Sequence, residues 1–232
     1  MSDRMLQFEN VGVAFRRRLN PFSKKQLILK DLSFDLYRGE TLGVIGRNGA
    51  GKSTLLKLLA DIIHPDTGKI WRAKGLRSQL LSLNLGFNKN LSGYDNTVMA
   101  LVTQGMRISQ AKSLVSEIAE FGEIPHLMEQ PVGTYSAGER ARLGFSIAIR
   151  TNPDILLLDE ILGVGDKQFK ERSSKELKKR VNSEQTVVLV SHSIRTLRNL
   201  CDRVMWIENG RAKILGPTKE VLDSYSQEAE LA

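Results

Sequence analysis

The chain of 232 residues carries 34 Lys and Arg against 26 Asp and Glu, a formal net charge of +8, with 41% hydrophobic residues. That suits one domain of ordinary to large size with a sizeable core; no apolar run approaches the roughly 20 residues that span a bilayer, and Met1-Ser2-Asp3-Arg4 lacks the basic-then-apolar order of a secretion signal. A single cysteine, Cys201, excludes an internal disulfide and points to a reducing cytosol. The positive excess suggests an anionic neighbour (phospholipid, nucleic acid or an anionic substrate), weighed against plain solubility, and it concentrates in Arg16-Arg17-Arg18 and Lys24-Lys25.

Residues 5–15 predict an opening strand, and Gln26–Leu36 a half-buried one, with Leu32, Phe34 and Leu36 alternating with polar neighbours. Arg38-Gly39-Glu40 turns the chain into Thr41–Ile45, a short buried strand. There follows Gly46-Arg47-Asn48-Gly49-Ala50-Gly51-Lys52-Ser53, which fits G-x-x-x-x-G-K-[ST], and Thr54–Ala60 predicts a helix with Lys57 toward water. Residues 61–85 mix short strands and turns, with Pro65-Asp66-Thr67-Gly68 the clearest turn.

From about Asn88 to Ile149 the pattern is helical, interrupted at Pro125 and Pro131. Asp154–Asp159 and Thr186–Val190 are near-continuous apolar runs, the mark of parallel strands covered on both faces, with a charged helix at Lys167–Val181 between them. Val204–Glu208 and Arg211–Leu215 flank Asn209-Gly210, a hairpin signal, and a polar helix starts near Lys219. The expected organisation is an α/β core from 1–87 and 150–215, a helical subdomain at 88–149 and a tail helix at 216–232.

A strand, a glycine-rich loop and a helix in this order bind a nucleoside triphosphate. Gly46, Asn48, Gly49, Ala50 and Gly51 let backbone N–H groups curl around the β-phosphate, with Thr54 just beyond. Lys52 reaches the β- and γ-phosphates, and the Ser53 hydroxyl ligates Mg²⁺. Asp159, ending an apolar strand, suits Mg²⁺ held through its water shell, and Glu160 beside it suits a base for an attacking water. Ser191-His192 ends another such strand, where an imidazole can bond the γ-phosphate. Tyr135-Ser136-Ala137-Gly138-Glu139 precedes an amphipathic run and reads by itself as an N-cap, Ser136 capping the helix and Gly138 allowing a phosphate close approach.

Together these stretches resemble the nucleotide-binding subunit of an ATP-binding-cassette (ABC) transporter, in order and approximate spacing, from Leu6 to about Leu222. The resemblance implies a P-loop NTPase core, a mixed sheet with flanking helices and N-terminal antiparallel strands, plus a helical subdomain. It makes Tyr135–Glu139 the signature motif, with Ser136 and Gly138 facing the nucleotide of a second chain. Gly163-Val164-Gly165-Asp166 matches the D-loop, in which Asp166 helps couple two sites, and Phe15 falls where an aromatic stacks on adenine.

Two chains sandwiching two ATP molecules, and a separate transmembrane permease subunit in two copies, are further implications. They place the chain peripherally on the cytoplasmic face of the inner membrane, with no nucleic-acid partner. The loop entering the helical subdomain departs from the family: its usual glutamine is missing from Leu81–Phe87, and Gln79 falls slightly early. That loop, with Leu85-Gly86-Phe87 leading into Leu91-Ser92-Gly93-Tyr94-Asp95-Asn96, resembles exporters of capsule, O-antigen or teichoic acid. The expected function is therefore ATP hydrolysis powering export of a lipid-linked polysaccharide. The competing readings are another transported cargo, a soluble ABC ATPase on ribosomes or DNA, and a small-molecule kinase, which leaves the signature and His192 unexplained.

Overall fold

Alternating and continuous apolar runs sort the strands into two kinds of sheet. In the computed structural model, which describes residues 3–15, 25–81, 86–159, 166–181, 183 and 185–230, β1 (Arg4–Phe15) and β2 (Gln26–Tyr37) pair antiparallel, burying Leu32, Phe34 and Leu36 on one face. β3 (Thr41–Ile45) is buried throughout. β4 (Thr67–Arg72) pairs antiparallel with β1, so the first sheet runs β2-β1-β4.

β4 starts inside the expected Pro65–Gly68 turn. Pairing of Thr67 with Gly12 draws its backbone into the sheet, while the Asp66 N–H donates to the Gly12 carbonyl at 2.8 Å. The change of direction falls on the residues before Thr67 instead.

β5 (Ser78–Leu81), β6 (Ile155–Asp159), β7 (Thr186–Val190), β8 (Arg203–Glu208) and β9 (Arg211–Pro217) join β3 in a second sheet of order β5-β6-β7-β3-β8-β9. β3 lies parallel between β7 and β8, β6 is parallel to β7, and β9 returns antiparallel through Asn209 and Gly210, both at positive φ as a two-residue hairpin requires. Every residue of β3 and β7 is buried, as parallel strands covered on both faces must be.

Seven α-helices accompany these strands among the described residues. They are α1 (Lys52–Leu59), α2 (Gly93–Thr103), α3 (Ile108–Gly122), α4 (Ala137–Arg150), α5 (Lys167–Val181), α6 (Ile194–Leu200) and α7 (Thr218–Glu230). The chain divides into two compact units: Met1–Leu80 with Pro153–Glu160 and Arg180–Ala232, and Leu81–Asn152 with Ile161–Lys179.

In the first unit α1 buries Leu55, Leu56, Leu58 and Leu59 and leaves Lys57 exposed. Each such leucine contributes about 1.5–3 kcal/mol relative to exposure. They pack with Phe8, Phe34, Leu157 and Val188 in one core that serves both sheets. Arg72 donates to the Leu58 and Leu59 carbonyls, closing the C-terminus of α1. α7 docks on the hairpin through Trp206 and Tyr225, ring centroids 5.1 Å apart, and through Lys213, which bonds both Glu208 and Glu228.

In the second unit α3 buries Ala111, Val115, Ile118, Ala119 and Gly122, a helical stripe that meets Leu101, Leu143 and Ile147 of α2 and α4. Pro125 and Pro131 stand at two short 3-10 turns, Pro125–Leu127 and Val132–Thr134. α5 is charged along most of its length but buries Phe169, Ser173 and Leu177 at four-residue spacing. Phe169 meets Phe121 and Phe145 at centroid distances of 6.1 and 5.8 Å, which ties α5 to the helical unit.

Candidate functional site

The registers bring the C-terminal ends of three parallel strands to one edge of the second sheet: Val44 and Asp159 both stand opposite Val190. Gly46, Asp159 and Ser191-His192 therefore leave the sheet side by side, in the crevice where open α/β sheets take ligands. Gly51, the N-cap of α1, has φ +108, and a Cβ there would meet the Leu29 side chain and the Ile28 carbonyl at 3.2 Å. A Cβ on Gly46 would run into the Ile207 carbonyl. The loop thus packs backbone against backbone, and α1 carries no side-chain cap at its N-terminus.

Lys52 is 8% exposed, and its ammonium donates to the Gly46 carbonyl at 2.7 Å and the Arg47 carbonyl at 3.1 Å, folding the side chain back along the loop. Ser53 Oγ donates to Asp159 Oδ2 at 3.3 Å. Two hard oxygen donors this close, beside a phosphate loop, fit Mg²⁺, which keeps several waters and takes one or two protein oxygens together with phosphate. Asn48, Gly49 and Ala50 form the turn before α1, and Thr54 lies in its first turn.

His192 is exposed just past β7, at the sheet edge that also holds Asp159. Ser191 Oγ accepts the Ser193 N–H at 3.1 Å, and Ser193 caps α6. Phe15 is 45% exposed at the end of β1, paired with Gln26. Three residues along β2 from Gln26, roughly 10 Å in a strand, Leu29 bounds the loop at Gly51. Glu160, Gly163–Gly165, Arg16–Arg18, Lys24 and Ser82–Leu85 lie outside the described residues, while Gln79 lies within β5.

The second unit has its own site, at the N-terminus of α4. Ser136 is the N-cap in a complete capping box: its Oγ accepts the Glu139 N–H at 3.2 Å, and Glu139 accepts the Ser136 N–H at 2.7 Å. The Ser136 backbone bond above all holds the Glu139 carboxyl below its ordinary value. Tyr135 is buried, its hydroxyl donating to the Leu127 carbonyl at 2.5 Å, and burial, helped by Glu139 and Glu129, pushes its pKa up to about 12. A cavity of about 530 Å³ opens here, lined by Ser136, Gly138 and Glu139 on one side. Glu123, His126, Arg142 and Asp166 stand around it as well.

Asp166 thus joins Ser136 and Gly138 at one cavity. Its Oδ1 accepts the Phe169 N–H at 2.9 Å, and its other oxygen accepts from Arg142 of α4. The Phe169 bond first, and the nearby guanidinium after it, keep the Asp166 carboxyl low. Arg142 also donates to Glu123 at 2.8 Å, and Glu123 in turn accepts from Arg172 at 2.5 Å. Arg142, Glu123 and Arg172 escape a reading by sequence, because no local pattern links residues 19 and 49 positions apart.

A parallel-sheet phosphate loop with a helical unit bearing a second helix-terminal site defines an ATP-binding-cassette fold. A dimeric post-hydrolysis state of the ATP-binding cassette MJ0796 bound to ADP and Pi shares it, with a TM-score of 0.76 at 20% identity over 92% of this chain and 99% of that one. The ABC transporter family model matches residues 29–163. The teichoic acids export ATP-binding protein TagH of Shouchella clausii is 41% identical over 197 residues, 85% of this chain and 54% of that protein. The O-antigen export system ATP-binding protein RfbB of Klebsiella pneumoniae is 36% identical over 204 residues, 88% of this chain and 82% of that one. The chain belongs to the ABC transporter family, in the group of ATP-binding proteins that these relatives represent. It spans little more than half the length of the Shouchella protein.

Proposed function

We propose that this chain is the ATP-hydrolysing subunit of an exporter that moves a lipid-linked polysaccharide (capsule, O-antigen or teichoic acid) across the bacterial inner membrane. The observation that carries the ATPase reading is the shared sheet edge, where Lys52, Ser53 and Asp159 are bonded around the glycine-rich loop and His192 follows the neighbouring strand. The cargo reading draws on the teichoic-acid and O-antigen relatives.

Backbone N–H groups of Gly49–Ser53 and the α1 N-terminus bind the phosphates, and Lys52 exchanges its loop carbonyls for phosphate oxygens. Ser53 and Asp159 would hold Mg²⁺, which would supply charge neutralisation to the bound phosphates. Glu160 takes a proton from the attacking water, and His192 bonds the γ-phosphate so that the water stands in line. Phe15 stacks on adenine. A second copy presents Ser136, Gly138 and Asp166 to this nucleotide, and closure of the pair on ATP drives a separate membrane-spanning subunit at the cytoplasmic face. No described helix is long and apolar enough to cross a membrane, in keeping with a peripheral role.

The test is affinity purification of the tagged chain from detergent-solubilised membranes of its host. A stoichiometric multi-span companion, and ATP hydrolysis by the complex, are expected. Recovery only with ribosomes or nucleic acid would overturn the exporter reading and leave the ATPase.

A further inference from the structure

We propose that Arg142 is a positioning residue: its guanidinium bridges Glu123 and Asp166, so that the signature turn and Asp166 are presented to a nucleotide as one rigid piece. This rests on the reading above, in which Ser136, Gly138 and Asp166 meet the nucleotide of a second copy.

The side chain of Arg142 is 17% exposed, although it carries two ion pairs. Nη1 reaches Glu123 at 2.8 Å, Nη2 reaches Asp166, and Cζ lies 5.3 Å from the Phe169 ring centroid. The planar fork holds the two carboxylates on separate nitrogens at a fixed spacing while its face lies on a ring, a rigid geometry that a single ammonium on a shorter stem does not reproduce. Both carboxylates are themselves anchored. Asp166 holds the Phe169 N–H at the start of α5, so its direction is set by that helix. Glu123 ends α3 in a left-handed conformation, φ 57, and is gripped by Arg172 of α5, which also donates to the Phe121 carbonyl at 3.1 Å. A non-glycine residue held at positive φ is over-determined by its surroundings. The ends of α3 and α5 are thereby clasped to α4 one to two turns beyond the Ser136 cap. Ser136 governs where the signature donors point, and Arg142 governs where Asp166 stands relative to them.

The experiment is steady-state ATP hydrolysis by the full chain, alone and with its co-purified membrane companion. Wild type is compared with Arg142→Ala, Arg142→Lys, Glu123→Gln, Asp166→Asn and the Arg142→Ala/Asp166→Asn double variant. Arg142→Ala is expected to lower kcat about tenfold with KM for ATP moved less than about twofold, as for a group that acts only after nucleotide is bound. Asp166→Asn is expected to cost about tenfold in the wild-type background but less than about threefold once Arg142 is gone, the non-additivity of residues acting as a unit. Lysine, shorter and without the fixed fork, is expected not to restore kcat.

Losses that multiply in the double variant, or full kcat in Arg142→Lys, would overturn the proposal. Should Arg142→Ala fail to fold, Glu123→Gln releases the other arm of the bridge with a near-isosteric side chain. It is expected to lower kcat without moving KM, and an unchanged kcat there would equally overturn it. A wild-type protein that hydrolyses no ATP defeats the proposed function, whereas active protein with multiplicative losses defeats only this inference.

Discussion

The N-termini of α1 and α4 are the same element used in opposite ways. α1 begins at Gly51, which sits at φ +108 and offers no side-chain cap to the first backbone donors of the helix. α4 begins at Ser136, whose capping box with Glu139 already satisfies donors on both sides of the turn. An uncapped helix end is costly by itself and useful when an anion completes it; a boxed end is stable alone and must be opened or bypassed. The surroundings differ likewise. The first end is framed by strands, Leu29, Ile28 and Ile207 pressing on the loop. The second is framed by side chains, in the Arg142, Glu123 and Asp166 clasp.

The contrast can be broken by substitution at each end. Lys52→Ala carries the largest expected effect: hydrolysis should fall about a hundredfold or more, as when one preorganised charge stabiliser is lost, with little change in melting temperature. A fluorescent nucleotide and a steady-state assay measure it, and near-normal turnover would overturn the phosphate-loop assignment.

Gly51→Ala comes next. A Cβ at positive φ against Leu29 should destabilise the fold by about 1–3 kcal/mol and weaken nucleotide binding together with it, read by denaturant unfolding and titration. Ser136→Ala should cost about 1 kcal/mol as a lost cap, with nucleotide affinity of the isolated chain unchanged. If Ser136→Ala left stability untouched, the difference between the two ends would vanish.

The smallest effect belongs to Glu139→Gln and is one of pH. The Glu139 carboxyl is held below 4.5 in the folded chain, so its contribution is present above that value and disappears as pH falls through the lowered one. Wild type should melt above Glu139→Gln at pH 7, and the two curves should converge in acid. A gap that stayed constant as the pH was lowered through the acid range would mean that shape, not charge, makes the cap.

Much of the first site was legible because its residues are local. Lys52 and Ser53 follow the loop glycines directly, and Asp159 and His192 end or follow apolar runs whose length marks parallel strands. The hairpin at Asn209-Gly210 and the Ser136 cap were legible for the same reason, both being decided within four residues. What lay hidden depends on partners far along the chain. β4 begins at Thr67 and not beyond Gly68 because β1, more than fifty residues earlier, offers its backbone.

The sequence by itself determined the phosphate loop, the strand ends that carry Asp159 and His192, the helical character of the middle of the chain and the Ser136 cap, since backbone propensity and apolar period are local properties. Only the tertiary structure decided that those strand ends share one edge, that α5 buries Phe169 against Phe121 and Phe145, and that Arg142 spans two carboxylates. Register and side-chain bridging are set by what packs opposite. A charged residue on a helix reads as solvated until the fold supplies the carboxylates that bury it.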